Sequence, residues 1–131
     1  MNEQAIVSSV VSAMLGKGFQ VKTEVANFHR SADICLIDDE GEIWVIECKV
    51  SSISRAIEQS RTHKLAADKV FIATVHRKTT ETIRDQIEKA GLGLLYVKPD
   101  GSVSEPIVMP KRNKPWRFAR AILLSRIQGA G

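Results

Sequence analysis

A chain of 131 residues with 44% hydrophobic and 26% charged residues has the size and balance of one globular domain, which excludes disordered, fibrous and collagen-like classes. The formal net charge is +4, yet every acidic residue lies at or before Glu105 and Lys111, Arg112, Lys114, Arg117, Arg120 and Arg126 follow it, so the positive field gathers in a basic extension over 111–131 and points to a polyanionic partner. No apolar run approaches the roughly 18–20 residues of a membrane-spanning helix, and Met1-Asn2-Glu3-Gln4 opens without a basic segment ahead of an apolar one; the expectation is a cytoplasmic protein.

In chain order, Ile6, Val7, Val10, Val11 and Met14 recur at helical spacing and predict a helix over 3–15 that stops at Gly16 and Gly18. Phe19 to Val25 alternates with period two and reads as a half-buried outer strand. The next two runs, Ala32 to Asp38 and Glu42 to Val50, are apolar at nearly every position, as central strands are, and Asp39-Glu40-Gly41 joins them as a three-residue hairpin loop with glycine at the left-handed position. A helix is predicted from Ser52 to about Asp68, with Ile53, Ala56, Ile57, Leu65 and Ala67 inward. Lys69 to Val75 is a buried strand, Thr79 to Ala90 a helix and Gly91 to Val97 another strand, an alternation that implies parallel pairing through crossover helices. Val103 to Met109 reads as a short edge strand, and Trp116 to Ile127 as a last amphipathic helix after Pro115.

Two charged residues interrupt a strand that otherwise asks to be buried: Ile43-Trp-Val-Ile-Glu47-Cys-Lys49-Val. Unpaired burial would cost several kcal/mol, so both need a partner, a metal or an opening to water. The three-residue loop sets Asp38 opposite Glu42, and counting back along the ladder sets Asp33 opposite Glu47. Lys49 shares that face by the period of two. Carboxylates about 4.5–5.5 Å apart at Cβ repel unless a cation lies between them or one is protonated. A divalent ion in the oxygen-rich shell that magnesium and manganese favour resolves the conflict; the other reading is a buried ion pair among Asp33, Glu47 and Lys49. Cys35 and Cys48 sit in apolar runs as free buried thiols. With no CxxC or HxxxH there is no zinc spacing. His29, His63 and His76 have no partner at motif spacing and read as surface or packing residues.

Ser31-Ala-Asp33, a hairpin, then Ile46-Glu47-Cys48-Lys49 resembles the PD-(D/E)xK nuclease superfamily, the restriction-endonuclease-like and Holliday-junction-resolvase-like group. Ala32 stands where that pattern usually has proline. The resemblance implies an α/β fold with a restriction-endonuclease-like αβββαβ core, a central mixed sheet flanked by helices. It implies Asp33, Glu47 and the backbone carbonyl of Cys48 as ligands of Mg2+ or Mn2+, with Lys49 as the catalytic lysine. Glu3 is the only candidate for the glutamate that many members carry on the first helix, and Gln59 for the glutamine that some add after the motif. The expected activity is metal-dependent endonucleolytic hydrolysis of DNA; the alternative is a catalytically silent nuclease-like module that binds nucleic acid or protein. The expected partners are DNA and a second copy in a homodimer. Lys111, Arg112, Lys114, Arg117 and Arg120, interleaved with Trp116 and Phe118, suit phosphate contact and stacking on exposed bases, or equally a helix whose aromatics dock on the core.

Overall fold

Asn2 accepts a hydrogen bond from the Ala5 N–H at 2.9 Å and starts α1 (Glu3–Gly16) in the computed structural model, which describes residues 1–129. Three strands follow, β1 (Gln20–Asn27), β2 (Arg30–Ile37) and β3 (Ile43–Cys48), then α2 (Ile53–Ser60), a 3-10 turn (Arg61–Leu65), β4 (Lys69–Thr74), α3 (Glu81–Lys89), β5 (Gly93–Tyr96) and α4 (Arg117–Ile127). The five strands lie side by side in chain order; β1–β2 and β2–β3 pair antiparallel, β3–β4 and β4–β5 parallel. This is the mixed α/β sheet expected, with the outer strand, the hairpin and the crossover helices where the sequence pattern put them.

The central strands are apolar throughout because both sheet faces are covered. On one face α1 lays Ile6, Val10 and Met14 against Ile34, Leu36, Ile46, Phe71 and Leu95. On the other, α2, α3 and α4 contribute Ile53, Ile57, Ile87, Leu123 and Ile127 against Cys35, Val45, Val70, Ile72 and Leu94. Asp38 closes the β2–β3 turn: its N–H reaches the Glu42 carbonyl at 3.0 Å, its carboxylate accepts from the Glu40 and Glu42 N–H groups, and Gly41 takes the left-handed backbone with φ 78°. Cys35 and Cys48 are both buried free thiols.

Three expectations need correction. The helix predicted over 52–68 ends at Ser60 and tightens to 3-10 winding. At three residues per turn this lines up Ser60, His63 and Ala66, all buried, and leaves Leu65 only half-buried. The segment from Val103 to Met109 forms no strand; two isolated antiparallel bridges, Val97 with Val103 and Leu94 with Val108, hold it to the sheet edge. The period-two pattern of Phe19 to Val25 breaks at Glu24, whose φ of 51° is left-handed. The β1–β2 register is the same on both sides of it, Thr23 with Ile34 and Val25 with Ala32. The turned pleat nevertheless sends Val21 to the α1 face and Val25 to the opposite one.

Candidate active site

The register that pairs Ile34 with Ile46 places Asp33 and Glu47 opposite each other one rung further, just past the end of the β2–β3 ladder. Since Asp38 and Glu42 are a hydrogen-bonded pair, Asp33 and Glu47, five rungs away, fall on a non-hydrogen-bonded rung, where side chains approach most closely. The ladder then opens. The next N–H of β3, that of Cys48, donates to Asp33 Oδ2 at 2.8 Å instead of to a β2 carbonyl. A residue's N–H and C=O project to the same side of an antiparallel strand, so the Cys48 carbonyl projects beside the Asp33 carboxylate. Burial first, and then the charge of Glu47, push the Asp33 carboxyl from its ordinary 3.8 up to about 6, against the opposing pull of the Cys48 N–H and Lys49.

Lys49 follows β3 and brings its Nζ to 4.0 Å from Glu3 Oε1 at the start of α1. Asp33, Glu47, Lys49, Glu3 and Gln59 all line one cavity of about 280 Å³. Five side chains selected from the sequence, spread over α1, β2, β3 and α2, are thus brought together.

The same cavity holds a residue that the sequence reading set aside. His63 is 2% exposed, not a surface residue, and its Nε2 lies 2.7 Å from Glu47 Oε1 while its Nδ1 lies 2.9 Å from the amide nitrogen of Asn27, itself buried. With the Asn27 amide nitrogen as donor, Nδ1 is the acceptor and the ring hydrogen sits on Nε2. The distance suits a hydrogen bond but the direction does not, and Glu47 Oε1 is left buried without a hydrogen-bond partner among the described residues. Ser60 Oγ, on the same wall, is likewise buried and unpartnered. The available signal was the inward stripe Ile53, Ala56, Ile57, Ser60 and His63, in which a serine and a histidine continue an apolar series.

No protein-family model matches the chain, and no curated protein matches it in sequence. Solved structures do. A protein of unknown function from Silicibacter pomeroyi superposes with a TM-score of 0.76 at 22% identity, over 98% of this chain and 84% of that one. A repair endonuclease from Pyrococcus abyssi superposes with a TM-score of 0.57 at 19% identity, over 76% of this chain and 48% of that one. The fold is restriction-endonuclease-like. The chain spans about half the length of the Pyrococcus abyssi enzyme.

Two facing carboxylates at the end of an apolar sheet could hold a divalent metal, and the residues present fit one. Among the described residues no three His, Cys, Asp or Glu side chains are arranged to cage an ion. Magnesium does not need such a cage: it is commonly held by one or two carboxylates, with water and substrate phosphate completing the octahedron. The orphaned Glu47 Oε1 and the raised Asp33 carboxyl both mark negative charge short of a cation. Asp33 and Glu47 are the side chains that could hold it.

Among the described residues, no cation of the basic extension lines this cavity. Arg112 pairs with Glu42, and Arg120 grips Asp68 at 2.8 Å and the Gly41 carbonyl at 3.1 Å, both at the opposite end of β3. Lys111, Lys114 and Arg117 are exposed. The cations on the cavity wall are instead Arg30 and Lys49. Among the described residues no helix is long and apolar enough to cross a membrane.

Proposed function

We propose that the chain is a Mg2+- or Mn2+-dependent endonuclease that hydrolyses DNA phosphodiester bonds. One observation carries the reading: Asp33 and Glu47 converge with Lys49 in a cavity at the end of an apolar sheet, with Glu47 Oε1 buried beside His63 and without a hydrogen-bond partner among the described residues. The fold shared with a repair endonuclease supports it. A divalent ion bound there would polarise a phosphoryl oxygen and acidify a water. Asp33 and Glu47 would hold that ion, with the Cys48 carbonyl beside them. Lys49, about a third exposed beside Glu3, would orient the attacking water or stabilise charge growing on the phosphate. Gln59, on the cavity wall, would offer that water a neutral hydrogen bond. Asn27 and His63 would keep the Glu47 carboxylate from turning away, as partners behind a metal ligand do.

One centre cuts one strand, and the two antiparallel strands of a duplex are matched by a two-fold axis, so we infer a homodimer as the form that cuts both. Sedimentation with and without DNA tests this, and a strictly monomeric mass in both would count against it.

The deciding experiment incubates duplex, single-stranded and branched DNA with manganese and the wild-type or Lys49→Ala protein. Cleavage by the wild type, lost in the variant, is expected. DNA binding without cleavage would leave the catalytically silent nucleic-acid-binding module as the surviving reading.

A further inference from the structure

We propose that Phe28 and Trp116 form a stacking platform for an unpaired nucleobase at the rim of the carboxylate cavity, so that the preferred substrate is DNA carrying unpaired bases near the cut. The proposal rests on the nuclease reading above. Its first support is a backbone at odds with its residue. Asn27 pairs with Arg30 across a two-residue hairpin turn, and the first turn residue, Phe28, has φ 59°. Such a position favours glycine or asparagine, and a bulky aromatic there is an outlier that persists only where the surroundings hold it. The result is a ring at the tip of the hairpin, 43% exposed, meeting Trp116 edge to face at 6.2 Å and 84°, with Trp116 itself 60% exposed.

Docking of the C-terminal segment does not account for the pair. That segment is tied by the Asn113 N–H to the Asp68 carbonyl at 2.7 Å, the Trp116 N–H to the Leu65 carbonyl at 2.9 Å, and Arg120 to Asp68. Rings serving only to dock would be buried; these keep aromatic surface open to solvent. Their position is also specific. His29 and Arg30, the next residues after Phe28, line the carboxylate cavity, and Trp116 is anchored two residues from His63. Lys114 and Arg117 flank Trp116, exposed and without an ion pair among the described residues, and the Arg117 guanidinium lies over the Phe118 ring at 5.1 Å. Open aromatic faces among uncompensated cations suit bases and phosphates together. A stacked duplex presents phosphates and groove edges but no base face, so only an unpaired base can use the rings.

The test measures fluorescence anisotropy in EDTA with labelled DNA of equal length: a duplex, a single strand, and a duplex with a central unpaired segment. Wild type is expected to bind the last two more tightly, with quenching of tryptophan emission. Phe28→Gly, which removes the ring and relaxes the left-handed backbone, and Trp116→Ala should each weaken binding to unpaired DNA about tenfold, leaving duplex affinity unchanged and both variants folded by circular dichroism. A wild-type preference retained by both variants overturns the platform while the cleavage assay still stands. Equal loss on all three DNAs also overturns it and makes the rings a general DNA contact with no preference for unpaired bases. Failure of the wild type to bind any DNA removes the platform, and the cleavage assay in manganese then decides the nuclease reading by itself.

Discussion

The chemistry of Asp33 is set by what stands around it, and that makes its protonation measurable in the folding equilibrium. Burial and Glu47 raise its carboxyl to about 6 from an ordinary 3.8, so between those values the folded chain holds a proton that the unfolded chain has released. A group raised in this way favours the folded state at low pH and penalises it above the folded value. In EDTA, the urea midpoint of the wild type should therefore rise as the pH is lowered from 7 to 5, and that rise should be absent in Asp33→Asn. Magnesium should stabilise the wild type at pH 7 and leave the variant unchanged; equal calorimetric affinity in the two would remove the metal argument. His63 acts one step further out. Replacing it with alanine leaves Asn27 and Glu47 without their shared neighbour, and loss of a group behind a metal ligand typically costs 10–100-fold in affinity or rate. The expected outcome is a fall of that size in metal affinity and kcat with KM for DNA unchanged, partly recovered by His63→Gln, which restores a polar neighbour to Asn27 and Glu47. A change in KM alone would assign His63 to DNA contact.

Between elements, the tie that matters most for α4 is Arg120 on Asp68. Burial alone would raise the Asp68 carboxyl, but the guanidinium and the Ile43 N–H, at 2.8 Å, hold it below the usual carboxylate range. Arg120→Ala leaves a mostly buried carboxylate without its cation and should destabilise the fold by about 2 kcal/mol at neutral pH. Because a depressed carboxyl contributes stability above its unfolded pKa and loses it as pH falls, the difference between wild type and variant should shrink in urea titrations below about pH 4. A pH-independent difference would mean that the arginine acts by packing alone. Elements governed by local pattern were legible in the sequence: the hairpin through Gly41, the doubly buried β2 and β3, and the crossover strands follow from periodicity and turn residues. The pairing of Asp33 with Glu47 was legible for the same reason, since a three-residue loop fixes every rung behind it. What escaped depends on tertiary context. The left-handed Glu24 that flips β1 carries no glycine to announce it, and His63 enters the site because the chain after Ser60 winds more tightly than a hydrophobic stripe predicts. Val103 to Met109 alternates as a strand does yet makes only two bridges.

At the scale of the whole molecule, the two ends of the sheet carry different charges for different reasons. The site end holds Asp33 and Glu47; five residues back along β3, roughly 16 Å away, Glu42 and Asp68 collect Arg112 and Arg120. Of the basic extension, those two arginines are therefore engaged in holding the C-terminal segment to the sheet, and Arg126 does the same through the Ala26 carbonyl at 2.9 Å. Lys114 and Arg117 are exposed and lie on either side of Trp116, which hydrogen-bonds the turn that carries His63. If DNA crosses the cavity along that rim, the phosphates it brings meet Lys114 and Arg117 but not the paired arginines. Neutralising a phosphate releases condensed counterions, so each lost contact lowers the slope of log affinity against log salt by about one. Lys114→Ala combined with Arg117→Ala should flatten that slope, measured by anisotropy on duplex DNA over a salt series, and weaken all sequences alike. Arg112→Ala should leave the slope as in the wild type. Identical slopes for all three proteins would place the DNA track on the other side of the cavity, along Arg30.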